Sequence, residues 1–518
     1  MNAAILAAGI GSRLRPITID RPKGCITVDG TPILAHQLRS YDDAGIDRVY
    51  VVAGYRADAV REVCAGVDGR RDGFEVIVRE NEAFANTDNL YSLYQLRDDL
   101  AGEPFVLSNG DVVYDPEALD RLLSAPSADA IACDTSTYAE EAMKLSLDET
   151  GRVRHLSKGI DREDAAAVGI DVYRFSAAVS RRLFDRIERS IEIEGNYSNW
   201  TESVIDDLAG HGRCAFEPVD VAGCRWVEID DTEDLLAADR TFSSIGDLSE
   251  NRAAFFDLDG TIYLDDVLTE GAAEVIEALR AVGTDVYFLS NNSSAWKTDY
   301  TEKLDRLGVP AEPDDVLLST DSVIDYLDRQ GMRELYVVGT AAMRGAMRDR
   351  GFEVEAADPA AVVVAFDTEL TYEKVREATL AVREGAEFLL AHPDVVCPTA
   401  RGMVPDCGSI GKLVETASGR EPDAVFGKPN ESMLAPVLEA RGLSPEEIVI
   451  VGDRLETEIQ LADRLGCDSV CVLTGATDRA AIEASRFQPT LVVESVGELV
   501  TEGFVTPAPG RKPRESGR

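Results

Sequence analysis

The chain contains two apolar segments that each run straight into a glycine-containing loop with charged residues. The first is Ala4-Ile-Leu-Ala-Ala-Gly-Ile-Gly-Ser-Arg-Leu-Arg15, and the second is Phe255-Phe-Asp-Leu-Asp-Gly-Thr-Ile262. A strand that ends in such a loop is the usual start of an α/β domain with a phosphate site at its edge. A chain of 518 residues is also too long for one hydrophobic core. The sequence therefore predicts two α/β domains joined end to end.

Composition narrows the class of protein. The formal net charge is −43, which excludes a nucleic-acid-binding surface. Only nine lysines are present, and an acid-rich, lysine-poor chain resembles the proteins of salt-loving microbes. The nine cysteines form no CxxC pair, no apolar run could span a membrane, and the N-terminus lacks signal-peptide features. We therefore expect a cytoplasmic, halophilic protein without membrane insertion, and the sequence leaves a homo-oligomer open.

Strands alternate with helices on both sides of a polar junction. Expected first-half strands are Ala3–Leu6, Arg48–Val52, Glu75–Val78, Phe105–Ser108 and Ala130–Cys133, and expected helices include 32–44 and 89–96. We predict a first domain over 1–242, a linker over 243–251, a second domain over 252–505 and a disordered tail over 506–518.

The first loop predicts a nucleotide site. Gly9 and Gly11 let backbone N–H groups approach phosphate oxygens, and Arg13 and Lys23 bring two cations to the same triphosphate. The spacing is neither GxGxxG nor GxxxxGK, because Leu14 stands where a third glycine would be, so a dinucleotide fold or P-loop is disfavoured.

The pattern LAAGxGSRLxP followed by RPK resembles the signature of sugar-phosphate and phosphocholine-type nucleotidyltransferases, over about residues 1–240. The resemblance implies a Rossmann-like mixed sheet and a Mg²⁺ ion held by Asp111 and Asp230, with Asp231 and Glu228 as alternatives to Asp230. It also implies catalytic roles for Arg13 and Lys23 and a set of nucleotide-binding residues, namely Leu6, Ala8, Gly9, Gly11, Ser12, Arg13, Lys23, Asn109 and Gly110.

Two further segments concern the second substrate. Asn86-Thr-Asp-Asn-Leu-Tyr-Ser-Leu93 resembles a segment of phosphocholine and aminoethylphosphonate cytidylyltransferases, and aromatic faces beside a carboxylate suit an ammonium group. Two of the rare lysines could hold the phosphate of that substrate. The expected substrate-binding residues are Asn89, Tyr91, Lys144, Lys158, Trp200 and Glu202. Ordinary core packing by the aromatic residues remains an alternative, so hexose phosphates stay open.

The second loop predicts an aspartate-based phosphatase. Asp257 would attack phosphorus, and Asp259 would protonate the leaving oxygen and later activate water. Ser290 ends a second strand and would hold a phosphoryl oxygen, Lys428 would neutralise charge, and Asp453 would complete a Mg²⁺ site with Asp257 and the Asp259 carbonyl.

These elements, in this order, resemble the haloacid dehalogenase superfamily over 252–505. The long interval between Ser290 and Lys428 indicates an inserted α/β cap of the C2 type, placed at about 320–412, and with Ser290-Asn-Asn-Ser resembles the NagD-type group. Asn291 is expected to bind substrate. The family has an aspartate five residues after Asp453, where this chain has Glu458, which we expect to take the metal-ligand role.

The sequence therefore predicts a bifunctional enzyme, Mg²⁺-dependent in both halves. One half would transfer a nucleotidyl group, with CTP as the expected donor, to a small phosphorylated alcohol or phosphonate. The other would hydrolyse a small phospho-metabolite. One alternative is a UTP- or dTTP-dependent hexose-1-phosphate transferase in the first half. Another is that one half is a non-catalytic phospholigand sensor.

Overall fold

A computed structural model describes residues 1–210, 212–399 and 402–505 of the chain. It contains two compact units, one over Met1–Ser243 and one beginning at Ser244. The predicted disordered tail, 506–518, lies outside the described residues. Within the described ranges, no helix is long and apolar enough to cross a bilayer.

The first unit is built on a mixed sheet with helices on its faces. Its strands are β1 (Asn2–Ala7), β2 (Thr27–Val28), β3 (Thr31–Pro32), β4 (Arg48–Ala53), β5 (Glu75–Glu80), β6 (Phe105–Asn109), β7 (Val112–Tyr114), β8 (Ala130–Asp134), β9 (Lys144–Leu147), β10 (Val153–Ser157), β11 (Ala167–Phe175), β12 (Glu217–Asp220) and β13 (Trp226–Glu228). Its helices are α1 (Ile33–Asp43), α2 (Ala57–Val67), α3 (Asn89–Tyr94), α4 (Arg97–Leu100), α5 (Pro116–Ser124), α6 (Ala177–Glu188), α7 (Thr201–Gly210) and α8 (Thr232–Phe242).

The main sheet of the first unit has the strand order β10-β9-β11-β6-β1-β4-β5, with β8 also paired to β11 and β12 paired to β8. Strand β1 lies between β4 and β6 and is parallel to both, whereas β11 is antiparallel to β6. Because β1 is covered on both faces, its interior residues are all apolar and buried. The five strands expected in this half are confirmed to within two residues at each end, and so is the mixed α/β class.

The second unit contains a parallel core sheet and a second, inserted sheet. Its strands are β14 (Ala253–Asp257), β15 (Tyr263–Leu264), β16 (Val267–Leu268), β17 (Asp285–Ser290), β18 (Val316–Leu318), β19 (Leu335–Val338), β20 (Ala361–Val364), β21 (Glu387–Leu390), β22 (Val396–Thr399), β23 (Gly402–Pro405), β24 (Ala424–Val425), β25 (Ile448–Gly452), β26 (Asp468–Val472) and β27 (Leu491–Val493). Its helices are α9 (Ala272–Val282), α10 (Lys297–Leu307), α11 (Ser319–Gln330), α12 (Ala341–Asp349), α13 (Tyr372–Glu384), α14 (Cys407–Ser418), α15 (Ala435–Arg441), α16 (Gln460–Leu465), α17 (Arg479–Ala484) and α18 (Glu498–Thr501).

The core sheet has the strand order β18-β17-β14-β25-β26-β27, and the inserted sheet has the order β19-β20-β21-β24. The inserted sheet lies between β18 and β25 in the chain. This is within the interval between Ser290 and Lys428 in which the sequence predicts a cap. It extends beyond residue 412, where the sequence placed its end, because Ala424–Val425 pairs in parallel with β21.

The junction differs from the expected linker. Ile245 and Leu248 are buried in the apolar core of the second unit, and the Leu248 N–H donates to the Phe504 carbonyl at 2.7 Å. Two apolar side chains in a mostly polar stretch are enough to dock it, since burying each removes apolar surface from water. The residues from Ser244 onward therefore belong to the second unit.

Candidate active sites

In the first unit, strand pairing brings three carboxylates together. Asp111 follows β6 through Gly110, and β13 pairs antiparallel with β7, so that Glu228 lies opposite Val112. The Ile229 N–H donates to the Asp111 carbonyl at 2.9 Å. Asp111, Glu228 and Asp230 form the carboxylate cluster. One oxygen atom from each of these three side chains lies within 4.8 Å of the other two.

Two cations face this cluster. Lys23 Nζ lies 2.9 Å from Asp111 Oδ2 and 2.8 Å from Asp230 Oδ1, and Arg13 lies 2.9 Å from Asp230 Oδ2. Burial alone would lower the pKa of Lys23, but Asp111 and Asp230 outweigh it and raise that pKa. Burial likewise favours a neutral Asp230, but Lys23 and Arg13 hold its pKa below the ordinary value. The loop cations and the distant carboxylates therefore form one site.

The cluster fits a magnesium ion. Asp111 Oδ1 is buried and makes no hydrogen bond, so one oxygen lacks the partner that a cation would provide. All the donors are carboxylate oxygens, the ligand type that Mg²⁺ prefers. Burial, followed by the charges of Asp111 and Asp230, raises the pKa of Glu228 to about 7. By distance, Glu228 lies with Asp111 and Asp230. Asp231 instead caps α8 by accepting from the Glu233 and Asp234 N–H groups.

A cavity of about 190 Å³ opens beside the cluster at the carboxyl end of β1. Gly110 has to be glycine, because a Cβ there would lie 2.8 Å from the Leu6 carbonyl oxygen. Gly11 has φ +64° and precedes a turn of 3₁₀ helix over Ser12–Leu14. The expected nucleotide-binding residues that line the cavity are Leu6, Ala8, Gly9, Lys23, Asn109 and Gly110.

A buried polar network adjoins this cavity. Asn109 Nδ2 donates to Asp171 Oδ2 at 2.9 Å and to Glu202 Oε1 at 3.2 Å, and Asn89 Nδ2 donates to Glu202 Oε2 at 3.3 Å. Burial raises the pKa of both Asp171 and Glu202. Sequence analysis missed Asp171. Its signal was a lone carboxylate within the apolar segment that forms β11, and the structure gives it φ +58°.

Aromatic side chains lie near this network. The rings of Tyr91 and Tyr197 are 5.8 Å apart, and Lys158 Nζ lies 5.7 Å from the centre of the Trp200 ring. Trp200 is 46% exposed, so part of its side chain is accessible to solvent. Lys144 is buried instead, and its ammonium donates to the Glu140 carbonyl at 2.5 Å. A phosphate-binding role for Lys144 therefore remains a prediction.

In the second unit, sheet topology brings distant residues to one edge. Strand β14 lies between β17 and β25, and all three are parallel. Asp257 and Ser290 end β14 and β17, and Asp453 follows β25. Parallel strands end at the same edge, which is where α/β folds bind ligands. The three predicted residues therefore meet.

Lys428 is the central cation of this edge. Its side chain is 3% exposed, and its ammonium forms ion pairs with Asp257 and, at 2.5 Å, with Glu458 Oε1. Glu458 Oε2 accepts from Thr457 Oγ1 at 2.6 Å. Both oxygens of Glu458 thus contact protein groups, and one of them holds Lys428. The expected metal-ligand role of Glu458 remains a prediction. Its side chain packs over Gly452, where a Cβ would lie 2.2 Å from Glu458 Cγ.

The second magnesium site also fits its residues. Asp453 Oδ2 accepts from the Ala476 N–H at 2.6 Å, whereas Oδ1 is buried without a hydrogen bond. Gly475 lets the chain approach closely, because a Cβ there would lie 1.9 Å from Asp453 Oδ2. Burial, with the charge of Glu458, raises the pKa of Asp453 to about 6. Carboxylates of Asp257 and Asp453 are hard oxygen donors, which suits Mg²⁺.

Asp259 faces a cavity of about 510 Å³. Desolvation by the surrounding protein raises the pKa of the Asp259 carboxyl group, although the charges of Lys303 and Lys428 act to lower it. A raised pKa favours the protonated form, which is the form that a general acid uses. Ser290 and Asn291 line the same cavity, and Asn291 holds the Lys428 loop by accepting from the Lys428 N–H at 2.7 Å.

The cap contributes residues that sequence analysis missed. Asp394, Cys397, Met403 and Asp406 line the cavity together with Arg454, which follows Asp453. Asp394 accepts from Asn291 Nδ2 at 3.2 Å. The sequence does contain one indication of this part of the cap, which is His392 in Ala391-His-Pro-Asp394. A histidine stands out because the chain has only four.

Comparisons with known proteins agree with this division. Residues 3–203 match the model of the MobA-like NTP transferase domain. Residues 254–353 match the haloacid dehalogenase-like hydrolase model, and 425–499 match a HAD-hydrolase-like model.

Named relatives match the second half. An acid sugar phosphatase of Staphylococcus aureus (strain USA300) is 31% identical over 257 residues, which cover 49% of this chain and 99% of that protein. One from Staphylococcus epidermidis is 32% identical over 253 residues, covering 48% of this chain and 97% of that protein.

Solved structures also match this half. They include a 4-nitrophenylphosphatase from Thermotoga maritima (36% identity, TM-score 0.47, 49% of this chain and 97% of that one). NagD from E. coli K-12 also matches (29% identity, TM-score 0.45, 48% of this chain and 98% of that one).

The protein is thus an enzyme with a transferase domain and a phosphatase domain. The chain belongs to the haloacid dehalogenase-like hydrolases through its second unit, which is fused to an NTP transferase domain.

Proposed function

We propose that the first unit transfers a nucleotidyl group from a nucleoside triphosphate, CTP in our assignment, to a small phosphorylated amino alcohol or aminophosphonate. The observation that carries this proposal is the carboxylate cluster facing Arg13 and Lys23. An oxygen of the acceptor phosphate attacks the α-phosphorus, and pyrophosphate leaves. This reaction requires alignment and charge neutralisation rather than a protein nucleophile.

The residues of the site have distinct tasks in this reaction. A magnesium ion held by Asp111, Glu228 and Asp230 would supply charge neutralisation at the phosphate oxygens. Arg13 and Lys23 lie beside these carboxylates and can bind the leaving pyrophosphate. Because both cations are held by Asp230, their position is set before the nucleotide binds.

The acceptor assignment rests on the network around Asn109. Two buried carboxylates, Asp171 and Glu202, lie in the same unit as the half-exposed faces of Tyr197 and Trp200. Aromatic faces bind an ammonium group through cation–π attraction, and carboxyl oxygens accept hydrogen bonds from an amine whether or not they are charged. Lys158, over the Trp200 ring, is placed to bind the phosphate of the same molecule.

A pyrophosphate-release screen tests this assignment. Four nucleoside triphosphates are combined with choline phosphate, aminoethylphosphonate, glycerol phosphate and hexose 1-phosphates, at high salt with Mg²⁺. The proposal expects the largest kcat/KM with an amine-bearing acceptor. A preference for a hexose 1-phosphate would contradict it and support the UTP- or dTTP-dependent alternative.

A pair of tryptophan variants sharpens the screen. Trp200→Leu should raise KM for a cationic acceptor by about 3–30-fold. This range corresponds to the loss of one cation–π contact, from the weak contact of an exposed site to the stronger one of a desolvated site. Trp296→Leu is the control, because Trp296 lies in the second unit and packs against Arg350 there. Equal effects of both substitutions would remove Trp200 from the acceptor site.

For the second unit we propose phosphoester hydrolysis through an aspartyl phosphate. An Asp257 oxygen attacks phosphorus while Asp259 gives its proton to the leaving alkoxide. Asp259 then takes a proton from water, whose oxygen attacks the same phosphorus and releases inorganic phosphate and free Asp257. Lys428 neutralises negative charge beside the attacking Asp257 oxygen, and Ser290 binds a phosphoryl oxygen. Asp257, the Asp259 carbonyl and Asp453 would hold Mg²⁺.

The substrate proposed for this unit is a small sugar phosphate. The support is the similarity to proteins described as acid sugar phosphatases, together with the cavity of about 510 Å³, which is large enough for such a molecule. Phosphate release from a panel of sugar phosphates, polyol phosphates and amino-alcohol phosphates tests it. A higher kcat/KM for amino-alcohol phosphates would contradict the sugar assignment while leaving the hydrolytic mechanism intact.

A further inference from the structure

The His392 cluster, defined as His392, Asp394 and Asp406, lies beside the second-unit cavity but has no role in the proposed phosphoryl transfer. One possible ligand atom from each side chain lies within 4.8 Å of the others. His392 Nδ1 is 3.4 Å from Asp394 Oδ2, and Nε2 is 3.6 Å from Asp406 Oδ1. A tetrahedral ion with bonds of about 2.0–2.1 Å places its ligand atoms about 3.3 Å apart. The two distances start from different ring nitrogens, of which one ion uses only one. The support for a ligand set is therefore that one atom of each side chain lies within 4.8 Å of the others.

The imidazole of His392 is buried, and one of its nitrogens makes only a long ion-pair contact. This side chain has 0% exposure, and its Nδ1 atom makes no hydrogen bond. A buried nitrogen without a partner costs free energy, and such groups are rare in folded proteins. Nε2 lies 3.2 Å from Ser293 Oγ, whereas the Asp394 carboxylate faces Nδ1 at 3.4 Å, so an ion at Nδ1 would also contact Asp394.

Neighbouring groups fix all three side chains. Asn291 Nδ2 donates to Asp394 at 3.2 Å, and the Cys407 N–H donates to Asp406 Oδ1 at 2.6 Å. Ser293 Oγ, which contacts His392, is itself fixed by the Phe366 N–H at 2.8 Å. Metal ligands are typically oriented by such outer hydrogen bonds, which set the tautomer of a ligating histidine.

We propose that the His392 cluster binds a divalent transition-metal ion such as Zn²⁺, separate from the Mg²⁺ of the catalytic edge. One imidazole and two carboxylates suit Zn²⁺ or its neighbours, whereas Mg²⁺ prefers oxygen ligands alone. Three protein ligands leave a coordination position open. Because Asp394 and Asp406 line the cavity, that position is accessible to oxygen atoms of a bound phosphoester.

Zinc binding to the full-length chain tests the proposal. The background carries Asp111→Asn, Asp230→Asn and Asp453→Asn, which weaken the two magnesium sites, and excess Mg²⁺ is present throughout. Titration calorimetry counts the Zn²⁺ equivalents, and anomalous scattering at the zinc edge locates them. Unfolding curves establish that each variant is folded.

His392→Asn should lose one tightly bound Zn²⁺ equivalent, and Asp406→Asn serves as a second variant should His392→Asn fail to fold. His36→Asn is the matched control: this partly buried histidine lies 2.9 Å from the Val28 carbonyl and in no cluster of three ligands among the described residues. An anomalous peak beside His392 Nδ1, lost in these variants, supports the site. Zinc stoichiometry that neither variant lowers, or the absence of a tight equivalent in the background, would overturn it and leave a simple histidine–aspartate ion pair.

Discussion

Replacing Lys428 by methionine removes the cation on which the proposed hydrolysis depends while nearly preserving side-chain length. The Lys428 side chain is 3% exposed, and its ammonium contacts both Asp257 and Glu458. Removing one partner of a buried ion pair costs about 3–5 kcal/mol of stability, because the remaining charge stays buried. Loss of a charge that stabilises the transition state costs ~10²–10³-fold in kcat. Lys428→Met should therefore be both less stable and nearly inactive as a phosphatase.

The chain offers a control for the stability part of this effect. Lys374 forms an ion pair of 2.7 Å with Asp367, whose side chain has 0% exposure, and does not line the described part of the cavity. Lys374→Met should lose stability of the same order, since it also leaves a buried carboxylate unpaired. Its kcat should stay within about threefold of wild type, because no group at the catalytic edge changes.

Urea unfolding and phosphate release from a good leaving-group ester, measured on the same preparations, separate the two effects. If Lys428→Met unfolds earlier but keeps more than a tenth of wild-type kcat, Lys428 is a structural residue and the assigned role is wrong. A large loss of kcat in Lys374→Met would show instead that destabilisation alone accounts for the loss.

Three further predictions follow from the same geometry. Asp259→Asn should trap labelled phosphoryl on Asp257, since attack still occurs on a good leaving group but no base activates water; unlabelled protein after quenching would contradict this. Mg²⁺ binding by the first unit should weaken as pH falls below 7, because Glu228 has a pKa of about 7 and its protonated form is not a ligand. Without metal, the same raised pKa should lower the free energy of unfolding as pH rises from about 4.5 to 7, because the folded state holds the Glu228 proton longer than the unfolded state does. Both trends are measurable by titration calorimetry and by urea unfolding, and pH-independent affinity would exclude Glu228 as a ligand. A fragment over 244–518 should be more stable than one over 252–518 by about 3–6 kcal/mol, because Ile245 and Leu248 are buried; equal unfolding midpoints would place this segment outside the core.

Local patterns predicted much of the fold. Strand β1 could be predicted from the sequence, because a short run of apolar residues is typical of a strand that is buried on both faces. The strand leads into the glycine-containing loop beside the cavity. Asp257 and Ser290 could be placed at one edge because each ends an apolar run and parallel strands end together. These inferences need only neighbours in the sequence or a rule of topology.

The remaining features depend on contacts between distant residues. Glu228 joins Asp111 only because β13 pairs with β7, and a short antiparallel pair carries little sequence signal. Glu458 contacts Lys428 because its side chain packs across Gly452, a contact that the sequence alone does not reveal. His392 and Asp406 meet through the packing of the cap, which periodicity does not reveal.

The two phosphate sites of this chain are proposed to act independently of each other. The most direct measurement compares Asp111→Asn and Asp257→Asn in two assays, pyrophosphate release from CTP with an acceptor and phosphate release from a phosphoester. Asp111→Asn should lose at least ~100-fold in the first assay and keep the second, and Asp257→Asn should show the reverse pattern. Loss of both activities in either folded variant would contradict the account and show that the two sites share catalytic groups.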